Sequence, residues 1–127
     1  VRASQTKALS KAKADRYFSA YIRKRDSVNG ICKCITCGKS VSEFDCGHMI
    51  SRRFESTRFD EQNANGQCHK CNRFENGNQL AHAHAIDLKY GEGTSTRLLL
   101  KSRMLCKRTQ QDYERIAEEF KAKAESL

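Results

Sequence analysis

Residues 45–54 read DCGHMISRRF and lie between two cysteine pairs, Cys34-x-x-Cys37 and Cys68-x-x-Cys71; the second pair sits inside residues 63–74, NANGQCHKCNRF. Each Cys-x-x-Cys turn aims two thiolates at one ion, the spacing used by tetrahedral zinc sites. Two such pairs in one short chain predict a four-sulfur structural zinc centre. The 30 residues between the pairs exceed a zinc-ribbon interval, so a further element is expected between the two knuckles. A closed four-sulfur site leaves no coordination position for a substrate, and any chemistry must come from that inserted stretch. Cys32 offers alternative first ligands, through Cys32-x-Cys34 or Cys32 with Cys37, but the two-residue knuckle favours Cys34. Cys46 and Cys106 are then left as buried thiols.

Working outward, Leu9, Tyr17, Phe18, Tyr21 and Ile22 recur with helical spacing over residues 6–25, with Lys7, Lys11, Lys13, Arg16, Arg23, Lys24 and Arg25 filling much of the remainder. This predicts a basic amphipathic helix stopped at Asn29-Gly30, which tolerates left-handed backbone. Residues 43–50 are expected to pair as short strands, 51–66 to form a polar loop and 68–75 a short helix ended by Asn76-Gly77. Further helices are expected over 79–90, closed by Gly91, over 94–105 and over 109–127. In the last, Thr109 and Asp112 match a capping box, and Tyr113, Ile116, Ala117, Phe120 and Leu127 share a face. The fold class is therefore α+β and mostly helical. One domain is expected over 1–127, with a basic arm (1–30), a zinc-stapled core (31–77) and C-terminal helices (78–127), because 127 residues allow a single modest core.

The formal net charge of +9 makes a polyanion the natural partner, with nucleic acid ahead of a membrane surface. No apolar run approaches the roughly 20 residues of a membrane span. The opening VRASQTKALSK also lacks the apolar stretch of a secretory signal, so the cytoplasm is expected. In that reducing compartment clustered thiols hold metal rather than form disulfides.

A histidine, then an asparagine five residues before the third cysteine, then an asparagine directly after the fourth, is the order found in HNH nucleases, the ββα-metal or His-Me finger group. Phosphodiester hydrolysis needs a base for the attacking water, and a neutral imidazole with a pKa near ~6.5 suits that task, which assigns the role to His48. Asp45 and Asn72 are the candidate oxygen donors to a catalytic Mg²⁺ or Mn²⁺, a hard Lewis acid for the developing charge. Asn63 matches the middle residue of the motif, which in those enzymes ties the connecting loop to the backbone near the histidine. Arg52, Arg53 and Arg58 are candidates to clamp phosphates beside the scissile bond. His69 is expected to face solvent, and His82 and His84, two apart on a helix, cannot share a face.

The run ADRYFSAYIRKRD, the knuckle CITCGK, then DCGHMISRR, STRFDEQN, QCHKCNRF and AIDLKYG together resemble the phage lambda NinG (Rap) family of recombination endonucleases, over about residues 11–100. The resemblance implies cutting of branched DNA, such as D-loops and Holliday junctions, during phage recombination in the host cytoplasm. It makes the basic helix, with Lys13, Arg16, Arg23 and Lys24, a candidate DNA-binding surface through phosphate contacts. One departure from the general HNH pattern stands out. Gly47 occupies the place before the histidine where many members carry an acidic metal ligand, and the nearest acid is Asp45, on the same strand face as Gly47. A homodimer would suit the cutting of two opposed strands, with the face near Tyr113 and Phe120 as its interface; packing within the monomer is the competing use of that face. Two other readings remain open. One is a general nicking, restriction or packaging HNH nuclease, and the other is a zinc-dependent nucleic-acid-binding module without catalysis.

Overall fold

The basic N-terminal segment folds as α1 (Ala3–Arg25), whose buried residues Ser10, Ala14, Phe18, Tyr21 and Ile22 recur every three or four positions. The computed structural model describes residues 2–127, and side chains outside 75–77. The helix ends at Arg25, capped by Asp26, whose N–H donates to the Ile22 carbonyl at 3.0 Å. Asn29-Gly30 is thus not the helix stop that was expected. It is the two-residue turn between β1 (Ser27–Val28) and β2 (Ile31–Lys33), with φ of 52° and 78°. Positive φ at both central residues suits the right-handed twist of a hairpin, which is why Asn-Gly favours that turn. β3 (Ser40–Val41) completes this small antiparallel sheet.

A second antiparallel pair carries the centre of the molecule. β4 (Phe44–His48) runs against β5 (Ala64–Cys68), with Phe44 opposite Cys68, Asp45 opposite Gln67 and His48 opposite Ala64. A short helix, α2 (Glu55–Arg58), lies in the connection, and α3 (His69–Arg73) follows β5 directly, giving a ββα unit. The residues 64–66 expected in a loop belong to β5. That strand is hard to see in the sequence because its alternation is absent: Ala64, Asn65, Gly66 and Gln67 are all buried.

Phe74, with φ −107° and ψ 155°, breaks the helix after Arg73, and α4 (Glu75–Tyr90) begins at once. The expected stop at Asn76-Gly77 falls inside α4, and the side chains there lie outside the described residues. After Gly91 come α5 (Thr94–Ser102), three residues shorter than expected, and α6 (Gln110–Glu125). The capping box forms as read. The Thr109 N–H donates to Asp112 Oδ2 at 2.7 Å, and the Asp112 N–H donates to Thr109 Oγ1 at 3.1 Å.

The main core joins the two ends of the chain. Ala14, Phe18, Tyr21 and Ile22 of α1 meet Tyr113, Ala117 and Phe120 of α6, with Phe59 and Ala64 closing the cluster. The Tyr113–Phe120 face is therefore spent on packing within the chain rather than left open for a second copy. Phe18 meets Phe120 edge to face at 4.8 Å and Phe59 at 5.7 Å. A smaller cluster of Met49, Ile50, Ile86 and Leu98 seats α4 and α5 behind the loop that follows β4.

A polar knot fastens α1 to β5 and α4. The Arg25 guanidinium holds Asp26 and the Ala64 carbonyl, Asp26 accepts the Gly66 N–H at 2.7 Å, and Asn65 Oδ1 accepts from Arg25, Lys89 and Tyr90. Among the described residues no helix is long and apolar enough to cross a membrane. Because Phe18 fills the junction of three elements, Phe18→Ala is expected to cost about 3–5 kcal/mol of unfolding free energy, measured by denaturant titration.

Candidate metal centre and catalytic cleft

The thiols of Cys34, Cys37, Cys68 and Cys71 converge, with all four Sγ atoms within 4.8 Å of one another. Zn–S bonds of about 2.3 Å in a tetrahedron require S···S edges of roughly 3.8 Å, and Cys37 Sγ lies 3.9 Å from Cys68 Sγ. The donor set and its spacing fit a structural zinc ion. The first pair comes from the turn after β2, where the Gly38 N–H donates to the Cys34 carbonyl at 2.9 Å; the second comes from the end of β5 and from α3.

Electrostatics single out Cys34. Burial pushes its thiol up, but backbone N–H groups of Cys37, Cys68 and Thr36 outweigh that and bring it to about 7, favouring the thiolate a metal requires. Cys71 is pushed up to about 12 by burial and by the neighbouring cysteines, a penalty that a bound cation would relieve. Cys32 stands outside the cluster. Burial and the nearby Asp26 charge raise it to about 11, and its sulfur packs against Gly66, where a Cβ would fall 2.5 Å away. Cys46 is half-buried against the main core, and burial raises it to about 12; Cys106 is also half-buried.

A cleft of about 570 Å³ lies beside this centre, between α1, β4 and α3. Asp45, His48, Arg52 and Asn72 all line it, together with Asp15, Phe18, Ser19, Arg23 and Arg73. Among the described residues β4 pairs with no strand but β5, and side chains from both of its faces reach the same cleft. His48 Nε2 lies 2.9 Å from the Arg58 carbonyl. A carbonyl only accepts, so Nε2 carries the proton and Nδ1 is the nitrogen left to take one. Burial pushes the imidazole down to about 4 against the pull of that hydrogen bond, and the Arg52 and Arg58 charges push the same way. The ring is neutral at pH 7 and packs 5.8 Å from the Phe18 ring.

Asp45 Oδ2 accepts from Asn72 Nδ2 at 3.0 Å and lies 3.0 Å from His69 Nδ1 and 3.5 Å from Arg73 Nε. Burial opposes ionisation of Asp45, but His69, Asn72 and Arg73 outweigh it and hold the carboxyl below its ordinary range. His69 therefore does not simply face solvent. The β4–β5 register was the missing signal, since Asp45 opposite Gln67 brings the start of α3 beside the carboxylate. At Gly47, a Cβ would fall inside the Gln67 carboxamide, which is buried and donates to Thr36 Oγ1 at 2.8 Å. The position that carries an acid in many HNH proteins is here filled from across the sheet.

Asn63 is fully buried. Its Oδ1 accepts the Ile50 N–H at 2.8 Å, and its Nδ2 donates to the carbonyls of Ile50 and Thr57 at 3.0 and 3.1 Å. One carboxamide thus pins both ends of the segment that leaves the cleft after His48.

The basic residues divide into exposed ones and ones committed to partners elsewhere in the fold. Arg52 and Arg53 are exposed, as are Arg16 and Arg23, the last on the cleft wall. Arg58 departs from the expected phosphate clamp. It makes a bidentate pair with Asp15 at 2.8 and 2.5 Å and donates to the Arg52 carbonyl, so it braces the loop against α1. Lys13 pairs with Glu114 at 3.2 Å, and Lys24 donates to the Ala124 carbonyl at 2.7 Å, both across the α1–α6 seam. His84 is exposed, whereas His82 is fully buried with Nε2 3.5 Å from Asn65 Nδ2, and burial lowers it to about 4.

The family model for the bacteriophage lambda NinG protein matches residues 1–127. The chain belongs to the NinG family. The NinG protein of Escherichia phage 933W is 37% identical over 81 residues, which cover 62% of this chain and 39% of that protein. The NinG protein of Salmonella phage P22 is 37% identical over 67 residues, 51% of this chain and 32% of its own length. The matched region thus spans about two fifths or less of these NinG relatives. No solved structure matches the chain. Within the family frame, the four-cysteine cluster beside a ββα unit is a metal-binding motif resembling that of HNH nucleases.

Two outcomes follow for the folded protein. Metal analysis should find about one zinc per chain, and a strong chelator or Cys71→Ser should unfold it by circular dichroism, because metal affinity in such sites is folding energy. The second concerns acid. The folded-state values of His48 and His82, both about 4, lie below the ordinary value of 6.5. The unfolded chain therefore binds more protons in that window, and stability falls as pH drops through it. Denaturant unfolding at pH 7 and pH 5 should show a loss of up to about 1.4 kcal/mol per pH unit for each histidine, with a shallower slope in His82→Leu.

Proposed function

We propose that the chain is a metal-dependent DNA endonuclease of the HNH type, folded as one domain and selective for branched DNA. The observation that carries this reading is the meeting of His48, Asp45 and Asn72 in one cleft, beside the four-thiol centre. A zinc-dependent binding module would need the cysteines and basic residues but neither a neutral, oriented imidazole nor the Asp45–Asn72 pair.

In this reading a water in the cleft gives its proton to His48 Nδ1 as its oxygen attacks phosphorus, and the P–O3′ bond breaks to leave a 5′-phosphate and a 3′ oxyanion that takes a proton from solvent. The Arg58 carbonyl fixes the tautomer by holding the Nε2 proton, and burial keeps the ring unprotonated at pH 7 while lowering its basicity below that of a free imidazole. Asp45 and Asn72 supply oxygen donors suited to Mg²⁺ or Mn²⁺, which when bound supplies Lewis-acid stabilisation of the phosphoryl charge. Asn63 is a positioning residue, since it fixes Ile50, two residues beyond the base. Arg52, Arg53, Arg23 and Arg16 offer phosphate contacts that carry no sequence information, which fits a substrate recognised by shape. Lys13 and Lys24 serve the α1–α6 seam first, and they extend the basic surface. The resemblance to recombination endonucleases and the basic α1 beside the cleft support a preference for branched DNA; opposed cuts in a junction would use two copies, joined elsewhere than at Tyr113 and Phe120.

The test uses plasmid and four-way-junction substrates with Mg²⁺ or Mn²⁺. His48→Ala should retain the wild-type fold and DNA affinity within about twofold while its cutting rate falls at least a hundredfold, the scale of a lost general base. Equal cutting by both proteins would remove His48 as the base, and equal rates on junction and linear duplex would remove the branch preference.

A further inference from the structure

The sequence contains six phenylalanines, and the fold treats them unequally. Phe18, Phe59 and Phe120 are core residues, and Phe44 lines the cleft half-buried. Phe54 and Phe74 are 41% and 66% exposed. Each follows an arginine, as does Phe59, so the Arg-Phe pair occurs three times. The Arg58-Phe59 copy is absorbed into the structure, with Phe59 in the core and Arg58 paired to Asp15. The other two copies are displayed, and although neither ring lines the cleft, each follows closely on an arginine that does. Arg52 lines it two residues before Phe54, and Arg73 lines it one residue before Phe74.

Both exposed rings sit on fixed backbone. Phe54 is extended at the start of α2, its N–H bonded to the Ser51 carbonyl at 3.0 Å and its own carbonyl accepting from Thr57. Phe74 is extended between α3 and α4, its N–H bonded to the Lys70 carbonyl at 3.1 Å. The Arg53 guanidinium lies 5.4 Å from the Phe54 ring centroid. A single exposed apolar residue needs no explanation. Two exposed rings on hydrogen-bonded backbone, each within two residues of an arginine that lines the cleft, combine a hydrophobic plane and a nearby positive charge, the pairing that proteins use to hold unstacked bases.

We propose that Phe54 and Phe74 are stacking platforms for unpaired or unstacked DNA bases, carried by the two chain segments that supply Arg52 and Arg73 to the cleft. The proposal rests on the reading of the cleft as a DNA site and deepens it by naming what distinguishes branched from regular DNA there. A perfect duplex keeps its bases stacked and offers the rings nothing, whereas a branch point or single strand exposes base faces. The rings are specificity residues; the chemistry stays with the groups of the cleft.

The test uses the full zinc-loaded chain without added Mg²⁺ or Mn²⁺, so that binding is read apart from cutting. Affinities for a four-way junction, a single strand and a perfect duplex are measured by fluorescence anisotropy, with 2-aminopurine at the branch reporting base stacking. Phe54→Ala and Phe74→Ala should each weaken junction and single-strand binding by about tenfold, within the range for one base on an aromatic ring. Duplex binding should change less than about twofold, and Phe54→Tyr and Phe74→Tyr should restore both affinity and the 2-aminopurine signal. Equal loss on all three DNAs, or no loss on any, overturns the platforms. Cutting assays run in parallel separate the two claims. Wild-type cutting with unaltered alanine variants sinks the platforms alone, while selective binding loss in a protein that never cuts leaves the platforms standing and sinks the nuclease.

Discussion

Four sulfur atoms from two distant stretches of chain have to meet at one point, and most of the geometry around the cleft follows from that requirement. The first pair hangs from the turn after β2, and the second straddles the junction of β5 and α3. Fixing that junction fixes where β5 ends and in which direction α3 departs. β5 then sets the register of β4, and β4 delivers Asp45 and His48, while α3 delivers Asn72. A chain of this size has little core to spare for such positioning, and a metal knot substitutes for it.

Around the knot, polar groups do work that apolar packing does elsewhere. Asn63, Asn65 and Gln67 are all fully buried on or beside one short strand. Asn63 closes the segment after His48, Asn65 collects Arg25, Lys89 and Tyr90, and Gln67 reaches Thr36 in the first knuckle. Buried hydrogen-bonded networks of this kind specify one arrangement, because a slipped register would strand several donors and acceptors at once. The segments RKRD and AIDLKYG, which extend the family resemblance beyond the metal motif, supply Arg25, Asp26, Lys89 and Tyr90 to this network.

What was legible in the sequence was whatever depends on short spacing. The two cysteine pairs, the capping box at Thr109 and the helical repeats of α1 and α6 are local signals, and they describe the structure well. The strand β5 was hidden because burial on both sides by asparagine and glutamine erases the alternation that marks a strand. Asn29-Gly30 was assigned to the wrong element, since the same left-handed preference that ends a helix also turns a hairpin. Arg58 looked free on a polar loop because its partner, Asp15, is 43 residues away in sequence. His69 looked incidental for the same reason: only the pairing of β4 with β5 puts it beside Asp45. Such long-range partnerships leave no mark on spacing.

The contact between Gly47 and Gln67 bears on how a chain like this one changes over generations. With the carboxamide occupying the volume a side chain at 47 would need, a lineage cannot gain an acid there by one substitution without distorting the sheet. The side chain at 67 must shrink or turn aside first, and either step releases Thr36 in the first knuckle. The order of mutations is thereby constrained, and variation at these two sites should arrive as a linked pair rather than independently.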